Sequence, residues 1–172
     1  VVYVDNEPVA VSHARHMLRG NPHATMIEGD LRDVDGVVRH PETRRLLDFG
    51  RPMAVLMVAV QHFLPDGDRP AEVVARYRDA VVPGSYLALS HIASDGSEDV
   101  RRAAAWFART PAPMTPRTHG EFAAMLAGLD LVPPGVTWTT QWHPDGSDAE
   151  LPSPRHAGIH VGVGRVPGAA AS

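Results

Sequence analysis

The segment Met53-Ala54-Val55-Leu56-Met57-Val58-Ala59-Val60 constrains this chain more than any other. An apolar run of that length, with no polar alternate, reads as a strand buried on both faces and therefore central in a sheet. Around it, short apolar runs take turns with stretches that repeat at the helical period. Val1 to Val4 is a buried strand ending at Asp5, and Ala24 to Glu28 is another. Between them, Ala10, Val11, Ala14, Met17 and Leu18 share one helix face, with Pro8 suited to its first turn and Gly20 to its end. Strands alternating with helices at this spacing specify an α/β fold built on a mainly parallel sheet.

The same pattern runs on. Val34 to Leu47 accommodates one or two short helices broken at Pro41, and Val73, Val74, Tyr77 and Val81 mark a further helix. Pro83-Gly84 turns the chain into a strand over Tyr86 to Ile92. A helix follows over Ser97 to Ala108, with Ser97 as its cap. Thr118-His119-Gly120-Glu121 is a capping-box sequence ahead of Phe122, Met125, Leu126 and Leu129. The final third changes character. Val136 to Trp142 and Ile159 to Val166 read as strands joined by a polar loop too short of helical pattern for a crossover, so they form a closing antiparallel hairpin. Residues 1–167 make one domain, and 168–172 read as a frayed tail.

Composition removes several functions. The 172 residues are a single-domain length, and 44% hydrophobic residues are enough for a core. A net charge of -4 argues against a nucleic-acid partner, which needs a basic face. The longest apolar run falls well short of the roughly 20 residues that span a bilayer, so no membrane partner is expected. With no cysteine there is no disulfide and no thiolate chemistry. All 16 basic residues are arginine, which excludes lysine Schiff bases and P-loop lysines. The expected location is the cytoplasm. No histidine pair has a metal-ligand spacing, so no metal is expected.

In open parallel sheets ligands bind beyond the carboxyl ends of the strands. The residues there are Asp5 and Asn6, Asp30 and Leu31, Gln61 and His62, and Ser90 and His91. A carboxylate at Asp5 can accept hydrogen bonds from the vicinal hydroxyls of a ribose, or it can cap the next helix. Asp30 can accept from the exocyclic amine of adenine while the Leu31 N–H faces a ring nitrogen; a helix cap is again the plainer role. His62 suits a general base, or packing against a cofactor, or a satisfied core histidine. Trp138, Thr140 and Trp142 fall on one strand face by alternation, as a pocket wall or as core. Met114 and Arg117 lie in a Pro-rich stretch with the makings of a lid.

Three segments in order, V-V-Y-V-D-N-E-P-V, G-D-L-R-D and V-A-V-Q-H-F-L-P-D, resemble class I S-adenosylmethionine-dependent methyltransferases. More narrowly, with P-G-S-Y-L-A-L-S-H and the closing G-V-G-R, the chain is similar to the actinobacterial S-adenosyl methyltransferase family once listed as a domain of unknown function. The resemblance covers Val1 to about Val166. It implies a Rossmann-like methyltransferase sheet with S-adenosylmethionine as cofactor and a small molecule as methyl acceptor. It further implies that Asp5 and Asn6 hold the ribose, that Asp30 and Leu31 contact adenine, and that Val60, Gln61 and His62 lie beside the methyl group. His62 is then the one base candidate.

The chain departs from that family at its start. The glycine-rich loop after the family's first strand is absent, and so is that strand, which would lie between the strand ending at Asp5 and the one ending at Val60. Its removal would leave unpaired backbone along both neighbours. The expectation is a partial sequence of a longer enzyme. Two other readings compete: a non-enzymatic cofactor-binding or regulatory module of the same fold, and a nicotinamide-dependent oxidoreductase. The second explains Asp5 but lacks the lysine of a Tyr-Lys pair. The sequence assigns neither the acceptor atom nor an oligomeric state.

Overall fold

The computed structural model describes residues 1–107, 109–110, 112–144, 146 and 153–168. The chain opens with β1 (Val2–Asp5), α1 (Pro8–Met17) and β2 (Thr25–Glu28), then α2 (Val34–Arg39) and α3 (Pro41–Leu46). Pro8 occupies the first turn of α1, and the Glu7 carboxylate caps it by accepting from Ala10 N at 2.7 Å. Pro41 separates α2 from α3, as the sequence predicts. Next come β3 (Ala54–Met57), α4 (Pro70–Asp79), β4 (Tyr86–Ile92), α5 (Glu98–Phe107) and α6 (His119–Met125). The chain closes with β5 (Asp130–Leu131), β6 (Thr137–Trp138) and β7 (Ile159–Arg165).

β1 and β2 pair in parallel from Val2 opposite Thr25 to Asp5 opposite Glu28. β3 and β4 pair in parallel from Ala54 opposite Tyr86 to Met57 opposite Leu89. β7 runs antiparallel to β4 along its whole length, and β5 and β6 pair with the other edge of β7. The second sheet therefore has the order β3-β4-β7-β5. Ile27 from β2, Met57 from β3, Leu87 and Leu89 from β4, and Phe122 and Leu126 from α6 and its cap share one buried core. The two sheets are thus faces of one body. Among the described residues β1 and β3 each pair with one strand only, and Tyr3 is 49% exposed, with Leu56 and Val58 68% and 62% exposed.

Two expectations need correction. The strand expected to be central and buried on both faces, β3, is an edge strand of its sheet with Ala54 and Leu56 exposed. It stops at Met57 and not at Val60, because Ala59 takes a left-handed backbone (φ 54°) while its N–H donates to Ser90 Oγ at 2.9 Å. The closing pair is antiparallel, but its first strand is two residues long. From Thr139 the chain winds into a 3-10 turn, with Trp142 N bonded to Thr139 O and Thr137 Oγ1 to Gln141 Oε1. Those local bonds replace ladder bonds, so Trp138, Thr140 and Trp142 share no strand face. Smaller shifts follow the caps. Glu7 caps α1 and Asp33 caps α2, so neither Asp5 nor Asp30 has that role. The Ser97 hydroxyl, expected to cap α5, is buried with no partner among the described residues. The tail beyond 168 and much of the loop from 145 to 152 lie outside the described residues.

Candidate active site

The carboxyl ends of β1 and β2 adjoin, since Gly29 N donates to Asp5 O at 2.9 Å. A Cβ at Gly29 would sit 3.3 Å from Val4 Cγ1 and 3.4 Å from Val37 Cγ2, so a larger residue there would have to displace those side-chain tips. Asp5 is half-buried and its Oδ1 accepts from Glu7 N at 2.9 Å, an Asx turn that leaves Oδ2 without a partner among the described residues. Asn6 beside it is exposed.

Asp30 is less available. Its Oδ1 accepts from Arg32 N at 2.8 Å, and both of its oxygens accept from the Arg32 guanidinium at 2.5 to 3.0 Å. Hydrogen bonding from Arg32 holds its carboxyl below the usual carboxylate range. The same guanidinium reaches Asp68 Oδ2 at 3.0 Å, tying the loop after β2 to the loop after β3. Leu31 is half-buried against the core.

Beyond β3, Val60 leads into a single 3-10 turn over Gln61–Phe63. Gln61 is fully buried, with Nε2 on Met57 Sδ at 2.8 Å and Oε1 unpartnered among the described residues. His62 is buried too, and its Nδ1 has no partner among the described residues. Orphaned polar atoms of this kind are costly unless something arrives to satisfy them. Burial, and secondarily the Arg117 charge, lower the basicity of His62. The site therefore joins Asp5 with the Asp30–Leu31 turn along one sheet end, and Gln61 with His62 at the other sheet's corresponding end.

Sequence reasoning missed three features. Ala59, the strained residue that ends β3, has no local signal. Arg117 is no part of a lid: it is 6% exposed, bridges Ala93 as an extended segment, and sends Nη1 to His91 Nε2 at 2.9 Å and Nη2 to Leu64 O at 3.0 Å and Asp66 Oδ1 at 2.7 Å. Third, His160 Nε2 donates to Asp95 Oδ1 at 2.8 Å beneath Trp138, whose ring centroid is 4.1 Å from the imidazole. Burial works to raise the Asp95 carboxyl, but the bonds from His160 and His119 N outweigh it and hold it low. Among the described residues no group of His, Asp and Glu is arranged to hold a metal. No described helix is long and apolar enough to cross a membrane.

Polar groups projecting beyond the carboxyl ends of parallel strands, flanked by helices, define a Rossmann-like α/β ligand-binding fold. The particular family follows from comparison. Residues 1–167 match the model of the S-adenosyl methyltransferase family, and the chain belongs to it. A candidate methyltransferase from Thermobifida fusca superposes with a TM-score of 0.89 at 33% identity, over 98% of this chain and 63% of that one. A DUF574 family protein from Streptomyces avermitilis gives 0.90 at 34% identity, over 97% of this chain and 65% of that one. The chain thus spans under two thirds of either relative's length. The N-methyltransferase NodS from Bradyrhizobium japonicum, solved with S-adenosyl-L-homocysteine, shares the fold at TM-score 0.57 and 11% identity, over 97% of this chain and 66% of that one. No functionally curated protein matches the chain.

Proposed function

We propose that this chain forms the ligand-holding body of an S-adenosylmethionine-dependent methyltransferase acting on a small-molecule acceptor in the cytoplasm. The observation that carries the reading is the set of polar groups at the carboxyl ends of β1, β2 and β3, in a chain that belongs to the S-adenosyl methyltransferase family. The residues fit the cofactor. Asp5 has an acceptor oxygen in hand, and Gln61 Oε1 is a buried acceptor awaiting a donor.

When bound, S-adenosylmethionine supplies an electrophilic methyl group on a sulfonium centre. Asp5, with Asn6 beside it, accepts from the ribose hydroxyls. Asp30 would accept from the adenine amine in exchange for one of its Arg32 bonds, and Leu31 N–H would face the ring. Val60, Gln61 and His62 line the methyl side and align the acceptor, which is most of what such a transfer needs. His62 takes the proton from the acceptor's O–H or N–H. Its burial keeps it unprotonated near neutral pH, the state a base requires.

The reading includes one further strand, parallel to β1 and β3 and seated between them, supplied from outside residues 1–172. It would cover Tyr3, Leu56 and Val58 and complete the sheet, with residues 1–167 as part of one domain. The open edges and the extra length of the two solved relatives support it.

Calorimetric titration with S-adenosylhomocysteine tests the proposal, on the chain as it stands and with upstream-encoded residues joined to Val1. Saturable binding to either form, weakened about tenfold or more by Asp5→Ala, a loss of about 1.4 kcal/mol, is the expected result. No binding to either form overturns it and favours a module that has lost the cofactor.

A further inference from the structure

We infer that Arg117 is a positioning residue for this site: its guanidinium pins the turn carrying His62 onto the end of β4. The inference rests on the reading of His62 as the base, and it adds the element that holds that base in place.

The pin has two sides. On the turn, Arg117 Nη2 donates to the carbonyl of Leu64 at 3.0 Å, immediately after Gln61–Phe63, and to Asp66 Oδ1 at 2.7 Å. On the sheet, Nη1 donates to His91 Nε2 at 2.9 Å, and Arg117 N donates to Ile92 O at 3.1 Å. Two residues earlier on the same strap, Thr115 N donates to the carbonyl of His62 itself at 2.7 Å. The turn is therefore held by its own carbonyls, at His62 and Leu64, to a segment bridged to Ala93. A rigid planar fork can hold three acceptors in fixed directions, which a flexible ammonium cannot.

The pin also fixes the histidines chemically. His91 Nδ1 lies 2.8 Å from the carbonyl of Ile92 and donates to it, so Nε2 carries a lone pair for Arg117. The His62 ring stands edge-on to His91 with centroids 5.7 Å apart. The charged or titratable groups here are Arg117, with Asp66 bonded to it, and His91 from β4; His160 from β7 acts on His91, and Phe122 from α6 packs there without charge. A permanent cation against this pair opposes protonation of either ring.

Nuclear magnetic resonance on the folded protein tests the inference through two signals, hydrogen exchange at the Thr115 amide and the titration of the His62 ring. In Arg117→Met, Thr115 protection falls about tenfold or more and the His62 midpoint rises. Arg117→Lys, which keeps the charge and loses the fork, lowers Thr115 protection while leaving the His62 midpoint near that of the parent. Unchanged Thr115 protection in Arg117→Lys overturns the inference, and that variant decides the matter should Arg117→Met not fold. Loss of the reading of His62 as the base would appear separately: His62→Ala would leave S-adenosylmethionine turnover intact while the Thr115 signal still responded to Arg117.

Discussion

Arg117 Nη1 donates to His91 Nε2 across 2.9 Å in the interior, and the imidazole is left with one tautomer and no room for a second proton. Burial, with the Arg117 charge behind it, lowers the His91 midpoint from 6.5 to about 4. The unfolded chain binds that proton more readily than the folded one, so folding weakens as pH drops through this window. The contribution is present in full above about pH 6.5 and lost by about pH 4, on the order of 3 kcal/mol. Burial of His62 acts in the same direction. Urea midpoints measured between pH 7 and pH 4 will fall steeply in the parent. They will fall less in His91→Gln, whose amide oxygen still accepts from Arg117 but cannot titrate. An identical slope in the variant would contradict the assignment.

The alternation of glycine with larger residues in β7 is a packing requirement. A Cβ on Gly164 would stand 2.6 Å from Leu129 Cβ, and one on Gly162 2.5 Å from Leu126 Cδ1. Leu129 meets Gly164 through the atom next to its backbone, so it cannot swing aside. Gly164→Ala is expected to destabilise by about 1–3 kcal/mol, and Gly162→Ala by less, because Leu126 meets it through a side-chain tip. Chemical denaturation of the two variants ranks them.

The N-terminus of α6 is set by a reciprocal cap. Thr118 Oγ1 accepts from Glu121 N at 3.3 Å, and Glu121 Oε2 accepts from Thr118 N at 2.7 Å. The bond from Thr118 N, and a second that the Thr118 hydroxyl donates to Glu121 Oε2 at 2.8 Å, hold the Glu121 carboxyl below its usual range. Thr118→Ala should cost about 1 kcal/mol of stability at neutral pH. An unchanged thermal midpoint would mean that packing of Phe122 and Met125 alone fixes the helix.

Legibility in the sequence follows the range of the interaction. α1 and the α2–α3 break were readable because Pro8 and Pro41 act within a turn of where they stand. The capping box of α6 was readable for the same reason. The strands could be inferred from their unbroken apolar runs, whereas burial on both faces could not: Tyr3 and Val4 in β1 and Ala54 and Leu56 in β3 are exposed. What escaped depended on distant partners. Arg117 sits in a Pro-rich stretch that looks like surface loop, yet its acceptors His91, Leu64 and Asp66 lie 26, 53 and 51 residues away. The truncation of β6 was hidden because Thr137 and Gln141 close a turn that strand alternation does not anticipate. Asp5, Asp30 and Gln61-His62 are proposed for the site from their position after a strand, whereas the engagement of Asp30 by Arg32 has no such local signal.

The central claim is that the carboxyl ends of β1, β2 and β3 bind one adenosyl cofactor. Amide chemical-shift mapping during titration with S-adenosylhomocysteine, on the chain as it stands and with upstream-encoded residues joined to Val1, addresses it most directly. The account predicts shifts concentrated at Asp5 and Asn6, at Leu31, and over Gln61 to Phe63, with little change at the remote surface of Arg44 to Gly50. Absence of shifts in both forms, or a cluster confined to that remote surface, would contradict it.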